Sequence, residues 1–402
     1  MTPEQAVKLV SEFDGNITRA ARSLGKSRQW LSYYLYQNPN FKPVTITPEE
    51  HAGYALVVND NIRKTNNKLR KDNKALSELI LSQSEYLDEL KKVVSGLSRN
   101  IKYKPAKTNH KGKPIIIEAL FSDLQIGKLC GDSYNTNIAV ARVKEYGRVL
   151  CEAIQQKQQL GYNIQEVKLV LLGDIIESDE KHGLQSARGC DISTAEQMAL
   201  ATKIIYKYVI EPVSILAYIN VICIAGNHDW NDHGMSMHKA GRTMLSYTIY
   251  SGLQLISEEA GINATFQIPK GTFFIDDIFG SKVLYEHGVN VQTTEQSMKA
   301  HKNKRAEQLK SYIQYFRMGD KHNVIGFNNW QHAVNGSFFG SGSDGEEYSS
   351  VAGFSSIPAQ LVLFHVARND DRTTMFDSLV IQLGHIKDVK NTTKPYATSG
   401  IG

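Results

Sequence analysis

Cysteine is scarce in this 402-residue chain: Cys130, Cys151, Cys190 and Cys223 lie far apart and form no C-x-x-C pair. Neither a disulfide framework nor a zinc knuckle is indicated, and a reducing compartment fits. Long hydrophobic runs are missing too. The most apolar stretch, Tyr208 to Ala225, is interrupted by Glu211, Pro212 and Asn220, which argues against a membrane span. The opening run Met1 to Lys8 is polar, without the basic-then-apolar order of a signal peptide, so a cytoplasmic location is expected. An overall excess of one charge is also absent, the net being +5. Hydrophobic residues make up 41% and charged residues 22%, the proportions of a soluble globular protein. The length suits one large domain with one or two small modules.

The modest charge is unevenly spread. Residues 1 to 112 carry 19 Lys and Arg against 11 Asp and Glu, a net of +8, which leaves 27 against 30, or −3, for the remainder. Basic surfaces attract phosphate backbones by releasing counterions, although a solvated face gives the same count. Residues 3 to 36 show helical periodicity broken at Asp14-Gly15-Asn16 and Gly25-Lys26-Ser27, which predicts three short helices. Ala20 and Ala21 are small enough to let two helices approach. The third helix, capped by Ser27, carries Arg28, Gln29, Trp30, Ser32 and Tyr33, a set suited to phosphates and base edges in a major groove. The Gly-Asn, paired alanines, Leu-Gly and Arg-bearing last helix resemble a Fis-type helix-turn-helix. That resemblance implies a DNA-binding head over residues 1–45, with Arg19, Arg22, Lys26, Arg28, Gln29, Trp30 and Tyr33 as contacts. The alternative is a tri-helical module that merely packs on something.

Between 62 and 97 the apolar residues keep a heptad register, with Ile62, Leu69, Leu76, Leu90 and Leu97 at one seam position and Ile80, Leu87 and Val94 at the other. Asn66 and Asn73 fill the second position early on, as in two-stranded parallel coiled coils of fixed register. A coiled-coil helix over 55–98 and a homodimer through 62–97 are expected; an amphipathic helix lying on the catalytic domain is the other reading, favoured by Gln83 and Gly96. A basic linker, 99–113, follows.

Downstream, short apolar runs end in polar residues, as strands do at the carboxyl edge of an α/β sheet. Ile115–Phe121 leads to Ser122-Asp123-Leu124-Gln125, and Val167–Leu172 to Gly173-Asp174-Ile175-Ile176-Glu177. Val221–Ala225 leads to Gly226-Asn227-His228-Asp229, and Lys282–Tyr285 to Glu286-His287-Gly288. Helical stretches at roughly 136–158 and 193–218 separate the first three, as βαβ units require. Singly these turns are ordinary. In series they resemble the calcineurin-like metallophosphoesterase superfamily, whose motif order is D-x-H, G-D, G-N-H-D/E, H and G-H-x-H. The resemblance covers residues 114–402 and implies an α/β fold, a two-sheet sandwich flanked by helices, behind the all-α head and the coiled-coil helix.

The resemblance further implies one or two divalent metal ions, with manganese favoured by mixed oxygen and imidazole donors. Asp174 would bridge them, Asp123 and Gln125 would serve the first, and Asn227 and His287 the second. His228 would act as catalytic acid, with Asp229 holding its ring. Two positions depart from the pattern. Gln125 stands where the first motif has His. The last motif has two candidates: Gly326-Phe327-Asn328-Asn329, which would make Asn329 a ligand, and Gly384-His385-Ile386-Lys387. The first is preferred, because Ala333 to Phe338 resembles the strand that follows this motif and only 15 residues lie beyond Lys387. His233 and His238 are substitute ligands.

Three functions compete. The first is a metal-dependent phosphodiesterase acting on DNA, nuclease-like, with Lys302, Lys304, Arg305 and Lys310 lining a strand path and Glu177, Asp179, Lys181 and His182 shaping a substrate loop. The second is a DNA-binding protein whose phosphoesterase domain serves as an inactive or weakly active scaffold. The third is a small-molecule phosphodiesterase with a regulatory head. DNA is the expected partner in the first two, and no membrane is. The pairing of such a head with such a domain is similar to phage-encoded proteins, which would place it in the host cytoplasm.

Overall fold

In a computed structural model of the chain, the residues described are 1–39, 63–71, 73–74, 88, 111–178, 189–229, 244–340, 356–367 and 374–387. They fall into two units, Met1–Leu79 and Ile80–Gly402. In the first, α1 (Pro3–Ser11), α2 (Ile17–Ser23) and α3 (Arg28–Tyr36) each begin at a side-chain cap: Thr2, Asn16 and Ser27 accept from the third backbone N–H onward. Such caps satisfy donors that a short helix leaves open. Ala6, Val10, Ala20, Ala21, Leu31 and Leu35 form the core of this unit. Residues 63–71 are helical, and Leu69 is 53% exposed in the single chain. Most of the heptad seam lies outside the described residues, so it is neither seen nor contradicted.

The second unit is mixed α/β with two sheets. One has the order β11-β10-β1-β2-β3-β4, and the other β5-β6-β7-β9-β8. The strands are β1 (Pro114–Phe121), β2 (Asn163–Leu171), β3 (Ile219–Cys223), β4 (Ala264–Gln267), β5 (Phe273–Ile278), β6 (Ser281–Glu286), β7 (Tyr315–Met318), β8 (Ile325–Phe327), β9 (His332–Val334), β10 (Ala359–Val366) and β11 (Met375–Gln382). β1 to β4 run parallel, while β10 and β11 add antiparallel at the far edge. In the second sheet β6, β7 and β9 are parallel. Helix α4 (Thr136–Gln159) links β1 to β2. Between β2 and β3, α5 (Thr194–Ile205) runs through a π-helical turn, Tyr206–Ile210, into α6 (Glu211–Leu216). Then come α7 (Leu245–Glu259) and α8 (Glu295–Gln308).

β1 shows why its apolar run is nearly continuous: both faces are covered. Ile115, Ile117, Ala119 and Phe121 pack toward the helices, and Ile116 and Leu120 toward the second sheet, where they meet Val283, Tyr285 and Tyr315. Each fully buried side chain of this kind stabilises the fold by roughly 1.5–3 kcal/mol. The outer face of the second sheet buries Leu284, Phe316 and Val334 with Met298 of α8.

One β1 residue breaks this pattern. Glu118, between Ile116 and Leu120, is fully buried against the second sheet, where Arg317 of β7 donates from Nε to both carboxylate oxygens at 3.1 and 2.9 Å. His365 of β10 lies 3.1 Å away through Nε2, and its Nδ1 is 2.8 Å from Thr374 Oγ1. Lys168 of β2 makes a second tie, donating to Asp276 of β5 at 2.7 Å. Among the described residues no helix is long and apolar enough to cross a membrane.

Candidate functional site

Five loops leave the carboxyl ends of parallel strands. β1, β2 and β3 deliver Asp123, Asp174 and Asn227-His228-Asp229; β6 and β7 deliver His287 and Gly319-Asp320-Lys321-His322. Ligand atoms of Asp123, Asp174 and His287, all buried, lie within 4.8 Å of one another. The loops are cross-tied by backbone bonds, Asp123 N–H to Gly173 O at 3.1 Å and Gln125 N–H to Asp174 O at 2.9 Å. Asp123, Gln125, Asp174, Asp320 and His322 all take positive φ, between 40° and 65°. Such a conformation is costly for residues with side chains and persists only where the surroundings impose it. Two neighbours must be glycine. A Cβ on Gly226 would stand 2.1 Å from Asp174 Oδ1, and one on Gly319 would stand 2.7 Å from Asp123 Oδ2.

Around Asp174 the contacts are dense. Its Oδ1 accepts the His228 backbone N–H at 2.8 Å. Its Oδ2 is 3.2 Å from His287 Nε2, 3.4 Å from Gln125 Nε2 and 4.0 Å from His228 Nε2. His287 donates from Nδ1 to Leu172 O at 2.6 Å, which fixes the ring and turns Nε2 toward Asp174, Asn227 Oδ1 (3.1 Å) and Asp320 Oδ1 (3.6 Å). Such a hydrogen bond on the far nitrogen is typical of a metal-binding imidazole.

These residues suit a divalent cation. Asp123 Oδ1 and Gln125 Oε1 are buried with no hydrogen-bond partner, and orphaned oxygens of this kind are costly unless something positive meets them. Burial pushes the Asp123 carboxyl up to about 8 against the pull of His287, with the Asp174 charge adding to the rise. Asp174 is itself held well below the usual carboxylate range: burial opposes this, but His287 and His228 outweigh it. Burial, with the Asp174 charge beside it, thus disfavours a charged Asp123, a cost that a bound cation would relieve. Burial lowers His322 to about 4, whereas at His287 burial is outweighed by Asp174, Asp123 and Asp320 and the ring is raised, so a cation there would displace its proton.

The expected ligands Asp123, Gln125, Asp174, Asn227 and His287 therefore come together, and so does His228. Asn329 does not. It is exposed in the turn between β8 and β9, where Asn328, Asn329 and Trp330 all take positive φ. His385 also stays away, with a side chain 60% exposed and 3.7 Å from Glu145. The segment that meets the cluster is Gly319-Asp320-Lys321-His322: Asp320 donates its N–H to Asp123 Oδ2 at 3.1 Å, and His322 Nε2 is 3.6 Å from Asp123 Oδ1. Its signature is a G-x-x-H after the short strand β7, with Asp in place of the motif's first histidine. The segment Ala333 to Phe338 does approach the site, since Phe338 N–H donates to Asp123 O at 3.0 Å.

Asp229 needs a second correction. Its carboxylate accepts the backbone N–H groups of Asp174, Ile175 and Gly226 at 3.0, 3.0 and 2.7 Å. It clamps two loops together and does not hold the His228 ring. The Glu177 backbone carbonyl does that, 3.2 Å from His228 Nδ1, while the Glu177 carboxylate stands beside the ring as a charge, with Oε2 3.2 Å from Nδ1 and 3.6 Å from Lys128 Nζ. Burial depresses the His228 pKa, but Glu177 and Asp174 outweigh it, so the ring is raised and favours its protonated form. The proposed strand path is also altered. Lys302 is buried and donates to Gln314 O, and Arg305 pairs with Glu286 at 2.6 Å, leaving Lys304 and Lys310 exposed. Asp179, Lys181, His182, His233 and His238 lie outside the described residues. In the first unit Arg19, Arg22, Lys26, Arg28, Gln29 and Tyr33 are exposed, whereas Trp30 packs on the core and against Tyr34.

No family model and no curated protein matches the sequence. Among solved structures the chain is similar to an archaeal phosphodiesterase, with 13% identity over 66% of this chain and 99% of that one and a TM-score of 0.28. It is also similar to wild-type Vps29 of Entamoeba histolytica complexed with zinc, with 9% identity, 66% and 99% coverage and a TM-score of 0.27. A serine/threonine phosphatase from Saccharomyces cerevisiae matches at 8% identity, 75% and 90% coverage and a TM-score of 0.26. These likenesses are remote.

Proposed function

We propose that residues 114–402 form a calcineurin-like, divalent-metal-dependent phosphodiesterase that acts on DNA, brought to its substrate by the helix-turn-helix head. The observation that carries the enzymatic reading is the meeting of Asp123, Asp174 and His287 with Asp320 and His322 at one strand-end edge, around oxygens that lack hydrogen-bond partners. A bound pair of cations, for which Mn2+ is our choice, supplies Lewis-acid polarisation and a water of lowered pKa. Asp123, Gln125, Asp174, Asn227, His287, Asp320 and His322 hold those ions. His228, protonated and standing beside Asp174, gives its proton to the leaving oxygen.

The DNA assignment rests on the exposed basic residues of α2 and α3 and on the net +8 of residues 1–112. Pairing of two chains through 62–97 rests on the heptad register of that stretch. Two heads on one dimer suit paired half-sites.

The test is hydrolysis of a labelled duplex and of a generic phosphodiester with Mn2+, and again after chelation. Cleavage that disappears with the metal is expected. DNA binding without turnover of either substrate would instead identify a scaffold, and turnover of the generic diester alone would remove DNA as substrate. A finer expectation concerns Glu177→Gln. Because the Glu177 charge favours a protonated His228 and Glu177 is not among the ion-holding residues, kcat at neutral pH falls about tenfold or more, with Mn2+ affinity in calorimetry unchanged; a parallel loss of metal would refute that role.

A further inference from the structure

Asp174 lies at the centre of the donors, its Oδ2 facing both Gln125 Nε2 and His287 Nε2, and the rest can be sorted into two sets on either side of it. One contains Asp123, Gln125 and His322, with Gln125 Nε2 3.4 Å from Asp174 and His322 Nε2 3.6 Å from Asp123. The other contains Asn227, His287 and Asp320, with Asn227 Oδ1 3.1 Å and Asp320 Oδ1 3.6 Å from His287 Nε2. Counting Asp174 in each, every group offers three oxygen-bearing side chains and a single imidazole. A half-turn of the Gln125 amide exchanges the nitrogen now facing Asp174 for Oε1, which has no hydrogen-bond partner where it stands. Oxygen donors suit magnesium, calcium and manganese, whereas imidazole suits zinc, copper, iron and nickel.

We infer that both positions are tuned to hard, oxygen-seeking cations, Mg2+ or Mn2+, and discriminate against Zn2+, with Gln125 and Asp320 as the two residues that set this selectivity. The inference rests on the metal-site reading above and extends it from the presence of ions to their class. Zn2+ generally outcompetes Mn2+ at mixed nitrogen and oxygen sites, so the diagnostic quantity is the ratio of the two affinities and how it responds to the donor set.

The experiment uses the full-length chain. Free Mn2+ is followed by its electron paramagnetic resonance signal while Zn2+ or Mg2+ is titrated in, for wild type and for Gln125→His/Asp320→His. Restoring one imidazole to each group is expected to raise the Zn2+-to-Mn2+ affinity ratio about tenfold or more. Millimolar Mg2+ is expected to displace Mn2+ from the wild type. Equal ratios in the two proteins, or Mn2+ that only Zn2+ dislodges, overturn the inference. If circular dichroism shows the double variant unfolded, Asp320→His alone gives the same reading for one group. A wild type that takes up no Mn2+ refutes the metal centre itself, a different result from a metal-loaded protein lacking selectivity.

Discussion

Replacing Asp174 by alanine is expected to lower the proposed metal-dependent hydrolysis about a thousandfold or more, the scale seen when a principal charge-stabilising group is lost. Asp174 belongs to both donor groups, with His287 Nε2 at 3.2 Å, Gln125 Nε2 at 3.4 Å and the His228 N–H bonded to its other oxygen. No neighbour can take its place, because Asp123 is needed beside His322 and Asp229 is already committed to three backbone N–H groups. Asp174→Asn is the sharper variant: it keeps the shape at φ 53° and removes only the charge. Both are compared with wild type for Mn2+ binding, turnover and far-ultraviolet circular dichroism. Turnover within about tenfold of wild type in a folded Asp174→Asn protein would exclude the metal mechanism, since so small a loss is about 1.4 kcal/mol. Duplex binding is expected to survive both substitutions.

Arg317→Met has the largest expected effect on stability. It leaves the Glu118 carboxylate buried between the sheets without its cation, and breaking a buried pair in this way costs about 3–5 kcal/mol. The double variant Glu118→Leu/Arg317→Met, which removes both charges, is expected to recover most of that loss, because two desolvation penalties vanish with the attraction. Urea denaturation of the three proteins decides it; a single variant within about 1 kcal/mol of wild type would mean that water or rearrangement already screens the pair. The pH dependence has a definite sign. Burial raises the Glu118 pKa, but Arg317 and His365 outweigh it and bring it down to about 2 from 4.5. Its folded pKa is depressed, so its contribution is complete above pH 4.5 and is lost as pH falls from there toward 2. The double variant should lack this part of the acid sensitivity.

The same arginine explains much of what the sequence conceals. β1, β2 and β3 are legible because both faces are buried, which gives apolar runs with a turn motif at each end. β7 has only four residues, and one is Arg317; a charged residue in so short a run hides the strand and, with it, the Gly319-Asp320-Lys321-His322 turn that completes the cluster. Val324-Ile325 presents a cleaner apolar run and leads instead to the exposed β8–β9 turn. The Asp229 assignment fails for another reason. An aspartate one residue past His228 can reach either the ring or the backbone, and only the folded geometry shows its oxygens spent on Gly226, Asp174 and Ile175. Asp123, Asp174, Asn227, His228 and His287 are legible because each sits directly after its strand, where residue order translates into position.

The donors are divided between the two sheets: Asp123, Asp174 and Asn227 follow strands of the first, and His287, Asp320 and His322 follow strands of the second. An ion gripped by both halves would act as a cross-link, and the unfolded chain, which rarely samples the left-handed turns at four of these residues, would offer it no comparable grip. By mass action a ligand that binds only the folded state adds about 2.7 kcal/mol at roughly a hundred times its Kd. If the proposed cations bind, the cation supply of the surrounding medium enters the melting temperature and the protease resistance of this chain as well as its turnover.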